Sequence, residues 1–218
     1  MLRDIELIIY DLDGVLIDSS EAICMTFNRV LNEFGEEDCP KGGIRGMIGE
    51  PLRDMYRRIL PEEKHNQIER CVDRYIEIFK ETAVEHTYLL DGVEDTVSFF
   101  KARGLKQSVA TTKTSEETAI ILKGLNVRQY FDLLLGSGDV TNLKPDPEIL
   151  HLTLRKLGCK RENAAFVGDT TTDIEAGRNA GVYTIAVTTG THARKRLAGL
   201  NPDYIVDNIR RLRNIVIV

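Results

Sequence analysis

Asp11 and Asp13 stand two positions apart, are followed by Gly14, and close an apolar run, residues 7–10. Such a run suits a strand buried on both faces of a parallel sheet. On extended chain, side chains two apart point the same way, so both carboxylates can enter one site just beyond the strand. Two close anions repel, and burial sharpens the conflict. A divalent cation relieves it, and hard oxygen ligands suit Mg²⁺. Taken alone, the stretch reads first as a strand with an Asp-rich turn.

Three later stretches carry related chemistry. Ala110-Thr111-Thr112-Lys113 places a hydroxyl at an expected strand end, where it can bond a phosphate oxygen beside free helix N–H groups. An isolated Thr-Thr is more simply a helix cap. In Asn142-Leu143-Lys144-Pro145-Asp146-Pro147, prolines fix the backbone next to a lysine that can neutralise a phosphate and an attacking carboxylate. By itself Lys144 reads as a surface lysine. Phe166-Val167-Gly168-Asp169-Thr170-Thr171-Thr172-Asp173 places two acids four residues apart, which can share a side of the structure. Acids at a helix N-terminus also suit its dipole.

The elements around these stretches follow from periodicity. Residues 20–34 read as a helix with Ser19 or Ser20 as N-cap and Gly35 as stop, followed by a polar, glycine-rich stretch over 35–49. Pro51 opens a second helix, and Pro61 a third reaching about residue 83. From residue 85 helices alternate with strands over 107–111, 131–135, 164–167, 183–187 and 204–206, and a last helix starts near 208. This predicts an α/β fold, a doubly wound parallel sheet with helices on both faces. Residues 1–17 and 85–218 form its Rossmann-like core, and residues 18–84 an inserted α-helical subdomain.

Composition narrows the function classes. A net charge of −5 argues against a general nucleic-acid binder. No apolar run is long enough to span a bilayer, and no secretory signal is visible at the amino terminus. Cys24, Cys39, Cys71 and Cys159 lack metal-type spacing and read as reduced thiols of a cytoplasmic protein. His65, His86, His151 and His192 show no ligand spacing either, and the basic run Arg194-Lys195-Arg196 reads as a solvated helix face. A monomer or homodimer is expected, without a nucleic-acid or membrane partner.

Acids, a hydroxyl, a lysine and two more acids, in this order after successive strands, resemble the haloacid dehalogenase superfamily, mostly phosphatases. Asp11-Leu12-Asp13-Gly14-Val15-Leu16 is similar to its first motif, Thr111 to its second, Lys144 to its third, and Gly168-Asp169 with Asp173 to its fourth. The likeness spans essentially the whole chain, with the helical insert in the place of the family's cap. Thr112 departs from the asparagine common there. Ile48-Gly49-Glu50-Pro51-Leu52, Leu90-Asp91-Gly92-Val93 and Lys113 are similar to the phosphoglycolate phosphatase branch.

The resemblance implies a Mg²⁺-dependent phosphatase of a small phosphorylated metabolite. Asp11 would be the nucleophile and Asp13 the acid–base. Thr111, Thr112 and Lys144 would meet the phosphate; Arg45, from its place in the 42–49 stretch, reads equally as a contact for an anionic substrate group or as a solvated loop arginine. The metal would sit on Asp11, the Asp13 carbonyl and Asp169, with Asp173 in support. Thr188-Thr189-Gly190 would line only the rim. Asp13 counts against a dehalogenase and a phosphonate hydrolase, which do without that second acid. A phosphomutase of the β-phosphoglucomutase type keeps all four motifs and stays open, as does a non-catalytic phospho-ligand-binding module.

Overall fold

The run Leu7–Tyr10 forms β1, and all four residues are fully buried. In the computed structural model, which describes residues 1–217, the chain passes through a short strand β2 (Ile17–Asp18) into helices α1 (Ser20–Glu33), α2 (Lys41–Arg45), α3 (Leu52–Ile59) and α4 (Ile68–Thr82). It leaves them through β3 (Tyr88–Leu89). Helices and strands then alternate: α5 (Val93–Ala102), β4 (Lys106–Ala110), α6 (Ser115–Gly124), β5 (Leu133–Leu135), α7 (Glu148–Leu157), β6 (Ala164–Gly168), α8 (Thr171–Ala180), β7 (Tyr183–Val187), α9 (Arg194–Ala198), β8 (Tyr204–Val206) and α10 (Leu212–Ile215). These elements cluster into two units, one of residues up to Asp18 and from Leu89 onward, the other Ser19–Tyr88.

The first unit is a Rossmann-like α/β fold. Its parallel sheet has the order β5-β4-β1-β6-β7-β8. The chain steps outward from β1 to β5, then returns to the other side of β1. Ligands of such sheets bind beyond the strand ends where the order reverses. Tyr10 pairs with Val109 on one side and Val167 on the other, so Asp11 follows level with Ala110 and Gly168. The register alone therefore brings Asp11, Thr111 and Asp169 to one edge.

Helices cover both faces. Leu7, Ile9 and Phe166 share a buried cluster with Ile149 and Leu150 of α7 and Ala176 and Ala180 of α8. On the other face the Tyr10 hydroxyl donates to Gln107 Oε1 at 2.9 Å, and Gln107 Nε2 donates to the Val97 carbonyl of α5 at 2.8 Å. A buried glutamine inside a sheet is thus fully engaged, as burial of an amide demands.

In the second unit α1 packs on α4, and α4 on α3. Ile23, Phe27, Val30 and Leu31 supply the buried face of α1, and Cys71, Tyr75, Ile78 and Phe79 that of α4. Three expectations are corrected here. The glycine-rich stretch contains α2, because buried Ile44 and Met47 anchor it despite its glycines. The helix expected from Pro61 is a 3₁₀ segment, Glu62–Gln67, before α4 begins: no residue of Glu62–Gln67 is buried, so packing supports α-helix only from Ile68. Ser19, one of the two serines expected there, does occupy the N-cap position of α1, although its side chain makes no capping hydrogen bond. The last helix is likewise shorter than expected, since Ile209–Arg211 is 3₁₀ and α10 starts at Leu212.

All four cysteines carry free thiols. Among the described residues no helix is long and apolar enough to cross a membrane.

Tyr56 stacks on Phe27 with ring centroids 4.3 Å apart and planes within 9°, yet its buried hydroxyl has no hydrogen-bond partner. A buried hydroxyl without a partner costs about 1–3 kcal/mol, while the ring keeps its packing without it. Tyr56→Phe is therefore expected to leave stability unchanged or raise it by about 1 kcal/mol. Urea unfolding checks this; a loss of stability means that the hydroxyl is satisfied.

Candidate active site

Asp11 is the first residue past β1, and its N–H continues the ladder to the Val167 carbonyl at 2.9 Å. Its buried carboxylate meets Lys144. The Lys144 ammonium lies 2.9 Å from Asp11 Oδ1, 2.7 Å from Asp173 Oδ1 and 3.2 Å from the Ala110 carbonyl. Three acceptors match the three donors of an ammonium. The loop carrying Lys144 is held by Glu148 at the start of α7. Its carboxylate accepts from the N–H groups of Thr141 at 3.0 Å and Asn142 at 2.8 Å. The Lys144–Pro145 peptide is cis. Lys144 is therefore a buried lysine, not a surface one.

Asp173 is committed on both oxygens. Oδ1 takes Lys144, and Oδ2 accepts from the Thr170 N–H at 3.0 Å and the Thr170 hydroxyl at 2.5 Å. Thr170 in turn caps α8 by accepting from the Asp173 N–H. This capping box starts the helix and aims the acid at the lysine in one arrangement.

Asp169 follows β6 and is 1% exposed. Oδ2 accepts from the Thr191 N–H at 2.6 Å, while Oδ1 is buried without a hydrogen-bond partner. The carboxylate sits between two glycines. A Cβ on Gly190 would lie 2.0 Å from Asp169 Oδ2, and one on Gly14 2.5 Å from it. Gly14 also has a φ of +76°, which disfavours any side chain there. The Thr189 hydroxyl donates to the Gly14 carbonyl at 2.6 Å, and His192 Nδ1 accepts from the Thr171 N–H at 2.9 Å.

The loop after β7 thus shapes the site. It does not merely line the rim, which corrects the expectation for Thr188-Thr189-Gly190. Its work is done by backbone and by lack of bulk, and a Thr-Thr-Gly stretch carries no charge to reveal it. His192 is tied to the start of α8 by its hydrogen bond from the Thr171 N–H, and burial lowers its pKa.

Thr111 follows β4, and its N–H donates to the Leu135 carbonyl at 3.2 Å. Its hydroxyl accepts from the Lys113 N–H at 3.3 Å, and Thr112 beside it is half-buried. Lys113 Nζ lies 3.1 Å from Asp13 Oδ2, with side-chain exposures of 11% and 8%. Asp13 therefore has a lysine of its own. Arg45 belongs to the other unit, where it ends α2 and is exposed.

Oxygens of Asp11, Asp169 and Asp173 lie within 4.8 Å of one another. With Asp13, four carboxylates face the ammonium groups of Lys144 and Lys113, an excess of two negative charges. Burial, helped by Asp173 and Asp13 against Lys144, raises the Asp11 pKa to about 7. Burial and the neighbouring carboxylates push Asp169 well above its ordinary value too. For Lys144, burial pulls the pKa down, but Asp11 and Asp173 more than offset it and hold the ammonium charged. The excess charge, the oxygen donor set and the unpartnered Asp169 oxygen all fit a divalent cation.

Two predictions follow from this geometry. An Asp11 whose pKa rises on folding contributes stability that is full below about pH 4 and lost as the pH passes about 7. The metal-free protein should therefore lose stability across that window, and added Mg²⁺ should raise its melting temperature more at pH 8 than at pH 5. A pH-independent Mg²⁺ effect would refute this. Gly190→Ala should weaken any divalent-cation binding at this cluster at least roughly tenfold, since displaced or outer supporting groups typically cost 10–100-fold in metal affinity. Calorimetric titration, with circular dichroism to confirm the fold, measures it.

The family model described as haloacid dehalogenase-like hydrolase matches residues 8–187. The chain is 32% identical over 216 residues to Pyrophosphatase PpaX of Halalkalibacterium halodurans, covering 98% of this chain and 97% of the relative. It is 27% identical to Phosphoglycolate phosphatase of Pseudomonas syringae pv. tomato, over 95% of this chain and 78% of the relative. A haloacid dehalogenase-like family hydrolase of Streptococcus pneumoniae has a similar structure, with a TM-score of 0.87, 26% identity and coverage of 97% and 98%. With a parallel sheet whose strand ends gather buried acids around a lysine, and relatives named as phosphatases along its whole length, this chain belongs to the haloacid dehalogenase-like hydrolase family.

Proposed function

We propose that the protein is a Mg²⁺-dependent phosphatase that hydrolyses a small phosphorylated metabolite through an aspartyl-phosphate on Asp11. The observation that carries this reading is the Lys144 ammonium, shared between Asp11 and Asp173 inside a buried cluster of acids. Phosphoryl transfer needs an aligned nucleophile and neutralisation of the transferring oxygens. Lys144 supplies positive charge beside the carboxylate that attacks, and Thr111 places a hydroxyl donor at the same edge.

Asp11 forms the bond to phosphorus as the bond to the leaving oxygen breaks. Asp13 gives that oxygen a proton, then takes one from the water that hydrolyses the intermediate and frees Asp11. Mg²⁺ would be held by Asp11, Asp169 and the Asp13 carbonyl, and would offset charge on the phosphate. Asp173, with both oxygens committed, supports this set by orienting Lys144.

The helical unit Ser19–Tyr88 acts as the cap that excludes water and selects the substrate, with Arg45 meeting an anionic group and Thr112 standing next to the phosphate. The relatives' names point to pyrophosphate and phosphoglycolate as the substrates to try first. Both join the phosphoryl group to a second anion.

Phosphate release from these two compounds and from p-nitrophenyl phosphate, with Mg²⁺ and with excess EDTA, tests the proposal. Activity is expected with the metal and lost with the chelator. Asp11→Asn should abolish turnover and trap no phosphoenzyme. Asp13→Asn should lose roughly 10²–10⁴-fold in turnover and accumulate phosphoenzyme from p-nitrophenyl phosphate, whose leaving group needs little proton assistance. Phosphate labelling of Asp11→Asn, or a label mapped to Asp13, overturns the assignment.

A further inference from the structure

Lys113 belongs to no element of the reaction described above, yet it touches two of its residues. Its N–H donates to Thr111 Oγ1 at 3.3 Å, and its ammonium lies 3.1 Å from Asp13 Oδ2. Both side chains of the ion pair are about nine-tenths shielded from solvent. Exposed lysine–carboxylate pairs contribute little and exchange partners freely. A shielded pair loses more when broken, because one charge is left without its partner.

The backbone on both sides is fixed. The Lys113 carbonyl accepts from the Ser137 N–H at 2.9 Å. Gly136 packs so close that a Cβ there would lie 2.2 Å from the Lys113 carbonyl oxygen. Thr114, the next residue, forms a capping box with Glu117 that starts α6. On the other side, the carbonyl of Gly14, next to Asp13, is held by the Thr189 hydroxyl at 2.6 Å. With both main chains anchored, the freedom that remains to Asp13 is rotation about its side-chain bonds. The ammonium of Lys113 restricts that rotation.

We propose that Lys113 is a positioning residue that holds the Asp13 carboxyl group where it exchanges a proton with the leaving oxygen. The inference rests on the acid–base role proposed for Asp13. Lys113 makes and breaks no covalent bond. In the first step the Asp13 proton goes to the leaving oxygen as its bond to phosphorus breaks and the bond to Asp11 forms. In the second step Asp13 takes a proton from water as the oxygen of that water bonds phosphorus and the Asp11–phosphorus bond breaks. Misplacing a reacting group by about 1 Å can cost 10²-fold in rate. The loss should depend on how much the leaving oxygen needs a proton.

Three variants test this: Lys113→Met, which keeps length without charge, Lys113→Gln, and Lys113→Arg, which keeps the charge. Phosphoenzyme formation is timed by rapid quench with p-nitrophenyl phosphate and with an alkyl phosphate, the second having much the poorer leaving group. Lys113→Met and Lys113→Gln are expected to slow the alkyl reaction roughly 10–100-fold and the p-nitrophenyl reaction less than about threefold, at nearly unchanged KM. Lys113→Arg should recover most of the loss. Equal slowing of both substrates, a rise in KM alone, or no rescue by arginine overturns the inference. Asp11→Asn run alongside separates the two claims. If Asp11→Asn still turns over, the reaction itself is misread. If Asp11→Asn is inactive and the Lys113 variants show no leaving-group dependence, the role of Lys113 alone fails.

Discussion

Lys144 carries its ammonium into a site almost closed to water, and a charge there must be matched by anions and acceptors in good geometry. Three elements supply them: Asp11 from the end of β1, the Ala110 carbonyl from the end of β4, and Asp173 from the first turn of α8. Each acceptor is itself fixed, by the parallel register for the strand ends and by the capping box for α8. The contact therefore ties together parts of the chain that are distant in sequence. It also makes the acids tolerable to one another, since three buried carboxylates within 4.8 Å would otherwise protonate or separate.

Asp169 obeys a different constraint. No lysine meets it. It is held by one backbone N–H and by the absence of side chains at Gly14 and Gly190. Its two oxygens are thereby made unlike, one satisfied by protein and one buried without a hydrogen-bond partner. An unsatisfied carboxylate oxygen in a buried place is costly. It persists where something outside the chain is to complete it, and the excess negative charge around it indicates a cation. Burial first, and then the neighbouring carboxylates, push the pKa values of Asp11 and Asp169 above their ordinary range.

Much of this was legible in the sequence because the signals are local. A run such as Leu7–Tyr10 followed by an acid reads as a strand end with a functional group, whatever lies beside it in space. The same holds for Phe166-Val167-Gly168-Asp169 and, through its alternation with helices, for the whole sheet. The contribution of the Thr189–His192 segment was not legible. It depends on β7 pairing beside β6 and acts through an N–H, a hydroxyl and a missing side chain. Lys113 was visible as a residue, but its pairing with Asp13 joins positions a hundred apart. In the helical unit, glycines mask the two apolar anchors of α2, Ile44 and Met47, and Pro61 marks the onset of a helical turn without showing that the turn is 3₁₀ and that α4 begins only at Ile68.

The two lysines divide the acids into two environments, and the proposed reaction needs that division. A nucleophile must remain an anion until it meets phosphorus, then be regenerated as one. Lys144, whose charge burial cannot remove, favours the Asp11 anion against the burial and carboxylates that raise its pKa to about 7, and a cation shared with the other acids would complete such a place. A group that gives a proton and takes one back needs a partner that tolerates both forms. Asp13 faces Lys113 nearer the solvent, in a pair that keeps about a tenth of each side chain exposed. Water at that margin can stabilise the ammonium when the carboxyl is neutral, which it cannot do for Lys144. Two aspartates separated by a single leucine thus meet different lysines, from the loops after β4 and β5, and the proposed reaction assigns them different chemistry on that basis.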